Sequence, residues 1–90
     1  MNLFEVLAAL SAWCTTQPGA VAWTLIQTID NGRRGFQLFI VDHECREPSH
    51  EPGCHHHVWH CNSRDLSHIG DLTAAWLHSM KKKEASHVAG

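Results

Sequence analysis

A chain of 90 residues makes one domain and buries only a modest share of its surface, which leaves little room for a deep active-site cavity. Its 43% hydrophobic content and four tryptophans exclude a disordered chain. A formal charge of −2 gives no field strong enough to gather nucleic acid or acidic lipid, although nine histidines would turn the protein strongly positive in mild acid.

The apolar start has no Lys or Arg near Met1, and Glu5 interrupts it, so a secretory signal is not expected. No stretch is long enough to span a bilayer. The expected location is the cytoplasm, where cysteines stand as thiols or metal ligands. Leu3, Leu7, Leu10 and Cys14 recur at helical spacing, with Val6 and Trp13 beside them, and predict a helix over Leu3 to Thr15. Asn2 caps its first turn with Glu5 as the capping-box acid, and Pro18-Gly19 ends it. Without Lys or Arg on its polar face, this helix fits a core better than a membrane interface.

Val21 to Ile29 is rich in β-branched and aromatic residues and reads as a strand. Asp30 to Gly35 is a turn cluster whose Asn31-Gly32 pair suits a hairpin, and Phe36 to Asp42 is the returning strand. His43 to Gly53 is a polar loop containing Pro48 and Pro52. A third strand over His56 to Cys61 follows. Strict alternation places His55, His57, Trp59 and Cys61 on one face, and His56, Val58 and His60 on the other.

A second helix is predicted over Asp65 to Lys82. Leu66, Ile69, Leu72, Trp76 and Met80 form its apolar stripe, Asp65 or Ser63 its cap, and Lys81 to Lys83 the complement to its dipole. Gly70 is an internal weak point, and residues 84–90, which lack periodicity, read as a flexible tail. The fold class is α+β in the order α-β-β-β-α, one domain over residues 1–83. The expected packing is a three-stranded antiparallel meander with helices on one face, the other face being solvated or occupied by a partner.

The chemically unusual segment runs from Asp42 to Cys61. Tetrahedral zinc takes four thiol or imidazole ligands, and the expected set is Cys45, Cys54, Cys61 and one histidine, for which His57 stands. A metal clip there would close the loop between the second and third strands and steady a small core. The spacing lacks the two close cysteine pairs of a finger. Small buried thiols are a second reading, and a Cys45–Cys54 disulfide, worth about 2–3 kcal/mol, a third. Glu44, Glu47, Glu51 and Asp65 could serve a zinc hydrolase as base, but catalysis is not expected from sequence adjacency alone.

Arg33 and Arg34 on the hairpin turn could touch phosphates, yet interleaved exposed aromatics are not evident, and nucleic acid is not the favoured partner. Trp59 and Trp23 are the tryptophans expected on the open sheet face. There an aromatic flanked by histidines would anchor a protein interface, giving Arg33, Arg34, His56, His57, Trp59 and His60 as binding residues. With its short chain, few strands with helices and no catalytic signature, the protein resembles in format the small proteins that phages and mobile elements use to disable host machinery, anti-CRISPR proteins among them. That resemblance implies a non-enzymatic binder that occupies a functional surface on a larger protein. Many anti-CRISPR proteins are strongly acidic and this chain is not, which counts against DNA mimicry. The alternative function is a zinc-stabilised adaptor built on residues 43–61.

Overall fold

The computed structural model describes residues 2–44 and 56–89, with side chains through residue 84. The order is α1 (Leu3–Thr15), β1 (Val21–Asp30), β2 (Arg33–Asp42), β3 (His56–Ser63) and α2 (Leu66–Ala89). The strands form one antiparallel sheet in the order β1-β2-β3, and both helices pack on it. This is the α+β arrangement that the pattern of periodicities implies. No helix among the described residues is long and apolar enough to cross a membrane.

Asn2 caps α1 as expected: its side-chain oxygen accepts from the Glu5 backbone N–H at 2.9 Å, and its amide donates back to the Glu5 carboxylate at 3.1 Å. Val6, Leu10, Trp13 and Cys14 form the buried stripe. Leu38 and Ile40 of the central strand are fully buried beneath it. On α2 the stripe is rotated from the expected one. Ile69, Thr73 and Leu77 are buried, with Trp76 and Met80 flanking them. Thr73 occupies a core position at no hydrogen-bonding cost because its hydroxyl donates to the Ile69 carbonyl at 2.7 Å. Asp65 caps this helix, accepting from the backbone N–H and the hydroxyl of Ser67.

Two boundaries differ markedly from expectation. The hairpin turn is two residues, not six. Asn31 and Gly32 take positive φ (52° and 76°), and Arg33, Arg34 and Gly35 already pair with Asp30, Ile29 and Thr28. Turns of this handedness match the twist of the strands, so pairing extends to the last possible residue. At the other end of β1, Gly19 (φ 94°) lets the chain turn beside Asp42, whose carboxylate accepts from the Ala20 and Glu44 backbone N–H groups. A Cβ at Gly19 would sit 2.9 Å from that carboxylate.

The second difference is in α2. The helix does not stop at Lys82: α2 continues to Ala89. Lys, Glu and Ala are strong helix formers, which sustains a helix past the end of its apolar stripe. Tertiary contact adds to this: the Glu84 carboxylate accepts from the Trp13 indole N–H and from the Gln17 amide, each at 3.2 Å. The ends of the two helices are thereby tied together. Lys81 to Lys83 lie inside the helix, not at its negative end.

Candidate binding surface

The two faces of the sheet are sorted by what opposes them. Leu38 and Ile40 point at the helices, and their cross-strand partners Leu25 and Trp23 on β1 and Cys61 and Trp59 on β3 share that inner face. Phe39 and Val41 therefore point outward, opposite Thr24 and Ala22. No described helix lies on this outer face.

Strand β3 departs from simple alternation. Ile40 pairs with Trp59 but Val41 pairs with His57, so Val58 is an extra residue, a β-bulge. The bulge reverses the facing of everything before it. His57, expected beside Trp59 and Cys61, stands instead on the outer face with His60. A ring nitrogen of each (His60 Nδ1 and His57 Nε2) lies 2.9 Å from the other in a hydrogen bond, with ring centroids 4.8 Å apart. The His60 ring stacks on Phe39 at 6.0 Å and 28°. Phe39, His60 and His57 thus make a continuous strip of rings, stacked at Phe39–His60 and tilted by 54° at His60–His57, with Val41 beside His57 and Ile26, 40% exposed, beside Gln37.

The tryptophans are elsewhere. Trp59 stacks on Trp76 of α2 (5.0 Å, 13°), and Trp76 meets Trp13 of α1 edge-on (5.0 Å, 76°). Trp23 also faces inward and donates its indole N–H to the Ser11 hydroxyl at 2.8 Å. The expectation that Trp59 and Trp23 occupy the open face is corrected on both counts, because large aromatics next to a helix bury more surface than they can against water. Phe39 and Ile26 take their place. The sequence did not distinguish them because β2 is apolar at both parities.

Of the expected metal ligands, Cys45 and Cys54 lie outside the described residues. Cys61 points inward, its sulfur 4.0 Å from the Thr73 hydroxyl, while His57 is on the opposite side of the sheet. These two do not converge on one ion. Among the described residues no group of three or more His, Cys, Asp or Glu side chains is placed to hold a metal. His56 is exposed at the start of β3, opposite Asp42.

Cys14 and Cys61 are free thiols, and burial pushes both above the ordinary thiol value of 9.0, with the Thr73 contact partly offsetting the rise at Cys61. The folded state keeps these protons where the unfolded chain has released them. Above about pH 9 the unfolded state therefore binds fewer protons, and stability present below that value is lost as pH rises. The urea midpoint is expected to fall between about pH 8 and about pH 10, and less steeply in Cys61→Ala. A variant whose fall matches that of the parent would show that Cys61 does not contribute.

Beside the outer face, the hairpin end and the end of β3 enclose an open groove of about 820 Å³. Arg33, Arg34 and Arg64 line it with Asp30, Asn62 and Ser63. Among the described residues none of the three arginines has an ion-pair partner. Arg64 was not singled out in the sequence. It joins the others because β3 ends beside the hairpin tip. No protein-family model matches the chain, and comparison with curated proteins and with solved structures gives no match either.

Proposed function

We propose that the protein works by binding, docking the outer face of its sheet on a larger protein and blocking or modulating the surface it covers. The observation that carries this reading is the Phe39–His60–His57 strip with Ile26 on a face that no described helix covers. Flat aromatic and aliphatic groups flanked by polar ones are the usual composition of an interface centre. The three arginines that line the groove beside the hairpin end add a cationic rim, which suits a partner with acidic residues beside its apolar patch. The format resemblance to small host-inhibitor proteins points to the same mode of action.

The test is quantitative binding to partners captured by cross-linking, comparing the parent with Phe39→Asp, Ile26→Asp and a control on the far side of α2, Ser79→Asp. Affinity is expected to fall more than about tenfold for the first two and to stay unchanged for the control, because a charge at the interface centre is desolvated on binding. Equal affinity for all four proteins would remove the outer face from the reading. Repeating the measurement after chelation separates this function from a zinc-stabilised adaptor, which loses its fold with its metal.

A further inference from the structure

The edges of the sheet are unequal. Strand β3 carries the protective features that sheet edges commonly have: it is short, broken by the Val58 bulge, and polar at His56, His57 and His60. Strand β1 has none of them. It runs for ten residues in unbroken register with β2, contains no proline, and carries no charge before Asp30. Its outer edge is a row of backbone donors and acceptors with no described strand beside it. Among the described residues the exposed large hydrophobic residues, Phe4 (83% exposed), Ile26 (40%) and Ile29 (70%), lie on α1 and β1, Ile29 on the helix-bearing face of the sheet and Ile26 on the outer one. Phe4 shares a helix side with Ser11, which bonds Trp23, and so lies on the side of α1 that meets β1.

We infer that β1 pairs antiparallel with β1 of a second copy, joining the two sheets into one. The hairpin's own charge distribution selects that partner and that direction. Arg33 and Arg34 stand at one end, and Asp42 and Glu44 at the other. Antiparallel pairing of two copies sets each arginine end beside the acidic end of its mate. Parallel pairing would stack like charges. The lone acid of the strand, Asp30, lies opposite Arg33 in the same hairpin, and with Arg34 beside them that end keeps a net positive charge. Pairing of this kind is isologous and closes on itself, so it makes a dimer and not a fibre. It leaves the outer face free and doubles its extent.

The experiment is sedimentation velocity of the full chain over a range of concentrations, with reductant and chelator present to exclude disulfide- and metal-linked species. A reversible dimer is expected. Ile29→Lys and Gln27→Lys, both at exposed positions, are expected to weaken it at least about tenfold while far-UV circular dichroism stays unchanged. Phe39→Asp, on the outer face, is expected to leave it intact. A monomer at every concentration up to about 1 mM overturns the inference. So does a dimer that both lysine variants leave unaltered, and one that Phe39→Asp dissociates would place self-association on the outer face instead.

Discussion

Replacing Leu38 with alanine is expected to lower the free energy of unfolding by about 3–5 kcal/mol. Leu38 sits on the central strand with none of its surface exposed, between Leu25 and Cys61 on the neighbouring strands. Strands enclose it on both sides and helices lie above it, so the cavity cannot collapse cheaply. A domain of 90 residues has only about 4–14 kcal/mol of stability in total. The loss should therefore appear as a fall in the thermal midpoint of about 15–30 °C. Leu38→Met, which keeps the volume, should cost under about 1.5 kcal/mol. A Leu38→Ala protein melting within a few degrees of the parent would mean that the core is centred elsewhere.

The second large effect is expected at Trp76, although it is only half-buried. Its ring is the middle member of the Trp13–Trp76–Trp59 series, one contact edge-on and the other stacked. Trp76→Ala removes both contacts as well as the buried area, for about 3–5 kcal/mol in all. Trp13 and Trp59 belong to α1 and β3, so the substitution loosens α2 from the first helix and from the sheet at once. The near-ultraviolet dichroism of the remaining tryptophans should weaken with it. Trp76→Phe should recover a large part of the stability. If Trp76→Ala costs less than about 1 kcal/mol, the series contributes little and the helices are held by the aliphatic residues alone.

The sequence made the helices and the hairpin readable because each has a local cause. Asn2 and Glu5 mark where α1 begins, its stripe marks the buried side, and Asn31-Gly32 marks the turn. The bulge has no local cause. Nothing in His56-His57-Val58-Trp59 says that Val58 will be extra. That follows from holding both Trp59 and Val58 against the core while β3 stays paired with β2. Because side-chain facing in a strand has a period of two, this single residue decided whether His57 met Cys61 or His60. The long-range bonds of Glu84 were equally invisible, since they depend on where α1 ends in space. The exchange of Trp59 for Phe39 on the open face has the same origin: either parity of an apolar strand can face a helix, and packing makes the choice.

The bonds from Glu84 to Trp13 and Gln17 also bear on the order of events during synthesis. The first helix leaves the ribosome early, yet its partner residue on α2 lies 71 positions further along. Until α2 has emerged, Val6, Leu10 and Trp13 have no second helix to close over them. Contacts this distant in sequence must pay their loop-closure entropy before they stabilise anything, which slows folding. Until α2 emerges the nascent protein presents an apolar helix and an unpaired strand edge, and in that interval chaperones, or another nascent copy of the same chain, meet it first.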